Sequence, residues 1–184
     1  MSGGHGHVDP SNRKIALLIA VLALVLAFTE TLGKGAQTSA LALNIEASNL
    51  WSFFQAKTIR MTVLRTAAEE AALADGSAPG EALQAQLKKW RETAERYDTE
   101  PSTGEGRKEL AQRAKVAEAA RDRAMAAYHH YELASAAVQI AIVLASASIV
   151  VSMGALAWAA MALGAAGIAL GLVGFFAPTA VHLF

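Results

Sequence analysis

A charge inside an apolar run is costly, and it is kept where it pairs with another charge, binds an ion or passes a proton. Glu30 interrupts such a run, Ile15–Thr29, and Lys34 follows four residues later. Glu before Lys at this spacing puts both on one helical face in the favourable order. The pair therefore reads as an interfacial ion pair or as the start of an ion path. One carboxylate makes a poor relay alone, because the later apolar runs hold no second acid. A path would need several copies around a pore, lined by Glu30 or by a Ser135/Ser146/Ser148 face. The histidines offer less. His129 and His130 sit between Tyr128 and Tyr131, and neighbours on a helix point about 100° apart, too far to share a metal. They read as an aromatic and imidazole belt at a membrane surface. His5 and His7 could hold copper or nickel, but once Met1 is lost His5 is fourth, not third as the amino-terminal motif requires; a flexible tail is expected. His182 is solitary. With no cysteine, no glycine-rich phosphate loop and no nucleophile–base pair, no catalytic residue, cofactor or metal site is expected, and the chain is not expected to be an enzyme.

The elements that would position Glu30 follow from charge placement. Of 184 residues, 54% are hydrophobic and 17% charged, with 16 basic and 16 acidic side chains. Soluble domains carry about 25% charged residues. From Leu133 to Phe184, 52 residues pass without Asp, Glu, Lys or Arg. At about 1.5 Å per residue and a hydrocarbon core of about 30 Å, that length suits two crossings and a tight turn. The break falls at Ser152-Met153-Gly154, giving spans over 133–151 and 155–177, the second stopped by Pro178. Ile15–Thr29 alone is short, but snorkelling Arg13 and Lys14 and the Glu30–Lys34 pair make a span over 15–35 workable. Residues 1–14 form a tail. Ala40-Leu41-Ala42 lies too far beyond the apolar core for signal cleavage, so a retained anchor is expected. These features exclude an ordinary cytosolic enzyme, a disulfide-stapled secreted domain and a basic nucleic-acid binder.

Residues 36–132 separate the first two spans. From Asn44 to Glu132 there are 13 basic and 14 acidic residues, so nothing draws this region to nucleic acid. Helix formers dominate, broken at Asp75–Gly80 and Asp98–Pro101, which gives helices over about 37–74, 80–97 and 104–132. Ser102-Thr103-Gly104-Glu105 fits a capping box for the third. Each helix carries a 4-3 repeat: Leu43, Ala47, Leu50, Phe54, Lys57, Met61, Leu64 and Ala68; then Leu83, Leu87, Trp90, Ala94 and Tyr97; then Leu110, Ala114, Ala117, Arg121, Ala124, Tyr128 and Tyr131. This spacing predicts a coiled-coil stalk of three helices side by side. The first and third helices should run on into their spans, since no proline interrupts 102–151, although Gly33 and Gly35 could bend the first. The alanine-rich third stripe needs bulky partners, and Trp51, Phe53 and Phe54 supply them. With Gln55 these also form a belt that reads as bundle core or as a recognition surface.

The segment Thr29-Glu30-Thr31-Leu32-Gly33-Lys34, with Asn49-Leu50-Trp51 and Gln55-Ala56-Lys57 beyond it, resembles a family of bacterial three-span membrane proteins filed only as a domain of unknown function. The likeness extends over nearly the whole chain. It implies an inner-membrane location and supplies no activity, ligand or site residue. In the third span Gly164, Gly167, Gly171 and Gly174 form small-residue faces, as do Ala137, Ala141 and Ala145 in the second. One such face serves pairing within the chain, and the surplus is expected to serve contacts between subunits. The expectation is an all-α membrane protein whose bilayer is its first partner. It would be a homo-oligomeric scaffold, with a membrane protein as possible further partner, or else a subunit of an oligomeric channel or transporter. Basic residues at span ends (Lys34, Lys115, Arg121 and Arg123 against Arg13 and Lys14) place the central region in the cytoplasm.

Overall fold

The computed structural model describes residues 10–74 and 80–181. His5, His7, His182 and all but Gly80 of the break expected at Asp75–Gly80 lie outside the described residues. The described residues form four helices and no strand: α1 Pro10–Ala74, α2 Glu81–Asp98, α3 Arg107–Val151 and α4 Gly154–Phe176. The fold is all-α. Residues 10–14 of the expected tail belong to α1, which runs from Pro10; proline at a helix start carries a φ set for the helix and gives up an N–H that would go unpaired anyway. Gly33 and Gly35 do not break α1, and α3 likewise passes from the charged segment into the apolar one without interruption.

The chain divides into two compact units. One joins the residues up to Ala40 to those from Asp122, and the other is Leu41–Arg121. In the first, α1, α3 and α4 are each long and apolar enough to cross a membrane. The 23 residues of α4 rise about 34 Å, against about 30 Å of hydrocarbon. Its outward side chains include Trp158 near one end and Phe175 and Phe176 at the other, the positions of interfacial aromatic belts. Leu22, Val138 and Ala141 form the core, flanked by Leu18, Val25, Leu26, Ile142 and Leu163. The α3–α4 reversal takes two residues. Its left-handed position is Ser152, with φ 56°, and not Gly154, which stands in open space.

In the second unit the 4-3 stripes point inward as expected. Ala47, Leu50, Lys57, Met61 and Ala68 of α1, Leu87 and Ala94 of α2, and Leu110, Ala114 and Ala117 of α3 are all buried. The expected side-by-side trio, however, is not what they build. Ala47 and Leu50 pack on Leu110, Ala114 and Ala117, whereas the later part of α1 faces α2: Lys57 lies 5.2 Å from the Tyr97 ring centroid, and Arg65, Ala68 and Leu73 share a furrow with Arg91. Helix α3 begins where α2 ends, with Arg107 Nη2 and Lys108 Nζ each 2.7 Å from the Asp98 carboxylate. The unit is thus two helices thick, α2 and then α3 taking turns against α1. The physical reason is length. The 18 residues of α2 reach about 27 Å, enough to return only partway along α1.

The expected capping box does not form either. Helix α3 starts at Arg107, after Gly104 at φ 67°, so Ser102 and Glu105 both precede it. Glu109 instead ties the first turn of α3 to the end of α2. Thr99 Oγ1 donates to its Oε1 at 2.7 Å and the Glu100 N–H to its Oε2 at 3.2 Å. Glu105 is left to approach the buried Lys57 amine, at 4.0 Å. Gly106 permits the tight approach, since a Cβ there would run into the backbone of Thr99 and Glu100.

Candidate functional site

Two places bring the expected site residues together, one in each unit. In the first unit, Thr29 lies inside the helix cluster, where its hydroxyl accepts a hydrogen bond from Ser135 Oγ at 3.0 Å. One residue on, Glu30 faces outward, and its Oε1 accepts from Gln139 Nε2 of α3 at 3.2 Å. This partner replaces the expected one. Among the described residues no ion pair of 4.0 Å or less joins Glu30 to Lys34. Helical spacing puts two side chains on one face, but an amide from α3 reaches the carboxylate. A groove of about 460 Å³ opens here, lined by Glu30, Lys34 and Gln37 of α1 and Tyr128, Glu132 and Gln139 of α3. The Tyr128 hydroxyl donates to Glu132 Oε1 at 3.4 Å.

The serines proposed for a pore do not present a free row of hydroxyls. Ser135 is spent on Thr29, Ser146 donates to the Ile142 carbonyl and Ser148 to that of Ala145. The histidine belt also divides. His129 is half-exposed, with Nδ1 3.8 Å from Glu132, while His130 is 1% exposed and its Nε2–H donates to the Pro178 carbonyl at 3.2 Å. Among the described residues no three His, Asp or Glu side chains converge as a metal-binding set.

The four glycines of α4 all turn to helices of the same chain. A Cβ at Gly164 would lie 2.7 Å from Leu22 Cδ2, one at Gly167 2.7 Å from Val138 Cγ2, one at Gly171 3.4 Å from Thr29 Cγ2 and one at Gly174 2.9 Å from His130 Cβ. Ala134, Ala141 and Ala145 of α3 are fully buried. These small faces meet within the chain, Ala137 and Gly171 remaining half-buried. A different stripe is free. Ala155, Ala159, Ala162, Ala166 and Ala169, spaced 4-3-4-3, are all exposed on α4. Composition hid it, because alanines in an alanine-rich helix carry no contrast.

In the second unit the aromatic belt splits. Trp51 and Phe54 pack against the α1–α3 core as an edge-to-face pair with centroids 5.4 Å apart. The Trp51 indole N–H donates to Glu118 Oε1 at 2.8 Å, and the Arg107 guanidinium lies 5.6 Å from the Phe54 ring centroid. Phe53 and Gln55 face outward. Phe53 is 52% exposed, and Ile45 and Leu41, two and three steps further back along the four-residue row, are 53% and 61% exposed. These positions step by four residues through Asn49. Ile45, Asn49 and Phe53 border a furrow of about 510 Å³ that reaches Glu105 and Arg113. The sequence contains this second stripe, but the stronger 4-3 pattern beside it masks it.

Residues 11–177 match the family model described as "Domain of unknown function (DUF4337)", and the chain belongs to that family. No curated protein and no solved structure matches it.

Proposed function

We propose that this member of a family without an assigned activity is a non-enzymatic scaffold of the bacterial inner membrane. In this reading 15–35, 133–151 and 155–177 cross the bilayer, and 36–132 stand in the cytoplasm. The protein is a homo-oligomer that organises itself or a partner membrane complex. The observation that carries the reading is the exposed row Leu41–Ile45–Phe53 on a unit only two helices thick. Two paired helices each bury one stripe and cannot cover a second. Apolar side chains in a row on a water-facing surface mark a place where another protein sits. Ile59 and Val63, 64% and 60% exposed, extend the apolar surface of α1. Within the bilayer the alanine stripe of α4 provides a face that a second helix can approach closely. Lys34, Lys115, Arg121 and Arg123 support the cytoplasmic side for the central region.

The absence of cysteine makes the test direct. Single replacements Ile45→Cys, Phe53→Cys and Ala162→Cys, oxidised in native membranes, should give disulfide-linked dimers. Ala85→Cys, on the exposed side of α2, should stay monomeric. Monomer at every position, with a single-copy mass in mild detergent, would remove the reading.

A further inference from the structure

The groove at Glu30 has a polarity that an oligomeric scaffold does not require. We propose that it binds the headgroup of a phospholipid carrying a primary ammonium beside its phosphate. The inference rests on the bilayer part of the reading above and is independent of the subunit count.

Position comes first. The charge-free runs of α1 and α3 end at Thr29 and begin at Leu133, so Glu30, Lys34 and Glu132 stand where hydrocarbon gives way to headgroups, and Gln139 lies about 9 Å inside the α3 run. Shape comes next. The groove measures about 460 Å³, within the size range of small-molecule sites, about 300–1,000 Å³. The Thr29–Ser135 hydrogen bond lies buried at its lining. Gly33 adds room, because a Cβ there would meet Tyr131 Cβ at 3.4 Å. Among the described residues α4 contributes nothing to the lining, and the charged groups are exposed. One turn deeper than Gln139, Val143 is 65% exposed, with Ile140 at 54% beside it; they offer an apolar flank along which the acyl chains of a lipid seated in the groove would run.

Charge then selects the headgroup. Lys34 has no ion-pair partner within 4.0 Å among the described residues, and it lies in the groove with the Gln37 amide, a pair of donors for a phosphate. Glu30 and Glu132 supply carboxylate oxygens. Each already accepts one hydrogen bond, from Gln139 and from Tyr128, and Glu132 Oε2 also lies 3.8 Å from His129 Nδ1; each retains further acceptor positions. A primary ammonium has three N–H donors to give them. A quaternary ammonium has none, and a headgroup with net negative charge would bring its charge to a groove where two carboxylates outnumber one amine. The zwitterion with N–H donors satisfies both signs.

The test uses the full chain, purified in detergent, stripped of lipid and titrated with phosphatidylethanolamine, phosphatidylcholine and phosphatidylglycerol of identical acyl chains, with bound lipid read by native mass spectrometry. Phosphatidylethanolamine should be retained at least about fivefold better than either competitor. The double variant Glu30→Gln/Glu132→Gln should lower it to the phosphatidylcholine level. Lys34→Gln should weaken both zwitterionic lipids together, since both carry the phosphate, and Lys34→Arg should restore them. Soluble phosphoethanolamine at equal concentration should leave the lipid in place. Equal retention of the three lipids, a preference that survives the double variant, or displacement by the soluble headgroup would each overturn the proposal. Failure of the bilayer reading would look different: the chain would stay dispersed without detergent before any lipid was added. The same spectra give the subunit count, so loss of the oligomer is also scored separately.

Discussion

At the scale of single residues, the best-defined electrostatics lie where α2 hands over to α3. Asp98 is held by Lys108 and Arg107, and these partners keep its carboxyl below the ordinary aspartate value. Glu109 is also held low, first by the Thr99 hydroxyl and then by its own backbone N–H and that of Glu100. A folded-state value below the unfolded one means stability that is present above the unfolded value and disappears as pH falls through the folded one. Both groups therefore support the junction at neutral pH, and acid withdraws that support below about pH 4. Asp98→Asn removes the charge while keeping the shape. Its melting temperature should lie below that of the parent chain at pH 6, and the gap should narrow as pH falls below about 4. Because the pairs are partly open to solvent, added salt should narrow the gap at pH 6. A difference independent of pH would mean that Asp98 acts through packing alone.

At the scale of elements, α4 is seated by contacts of unequal tolerance, and that inequality orders four substitutions. Alanine gains about 1 kcal/mol over glycine in a helix interior. Overpacking costs typically about 1–3 kcal/mol where the neighbour cannot move. Gly171→Ala meets only ordinary contacts, so it should be neutral or stabilising. At Gly164 the obstacle is the flexible end of Leu22, which can shift at small cost. At Gly167 the new methyl meets the stiff, β-branched Val138 and, at 3.1 Å, the Ala134 carbonyl oxygen; neither can retreat. Gly174 meets His130 Cβ and Tyr131, also close to the backbone. Melting in detergent should rank the variants Gly171→Ala, Gly164→Ala, Gly174→Ala, Gly167→Ala from most to least stable, and Gly167→Ala ranking above Gly171→Ala would contradict the packing. The same elements mark how far the sequence could be read. Helical period identified the inward face of α1, α2 and α3, because burial follows local periodicity. It could not say what covers that face, so the trio expected over 36–132 became α2 and α3 in succession. Ser102 and Glu105 had the spacing of a cap, but the turn through Gly104 and Gly106 leaves both ahead of α3, which starts at Arg107. Glu30 and Lys34 were legible as neighbours, whereas Gln139, far away in sequence, was not legible as the group that competes for the carboxylate.

At the scale of the molecule, the two units are built for different solvents, and the three tryptophans sample both. Trp51 and Trp90 belong to the unit whose helices bury one stripe and turn charges outward; Trp158 is 74% exposed on a helix without a charged side chain. In water that exposure would be a liability, and in a bilayer it is an anchor. Fluorescence separates the two. The variant Trp51→Phe/Trp90→Phe leaves Trp158 as sole emitter, and lipids brominated along their acyl chains should quench it strongly while aqueous iodide quenches it far less than it does an indole in water. Trp158→Phe leaves the other pair, for which bromolipids should be without effect. Within that pair, Trp51 should resist iodide better than an exposed indole does, since its ring packs on Phe54 and its N–H is held by Glu118. Iodide quenching of Trp158, with no response to bromolipids, would place α4 in water and remove the physical basis for every span assigned here, because the same apolar length argument supports all three.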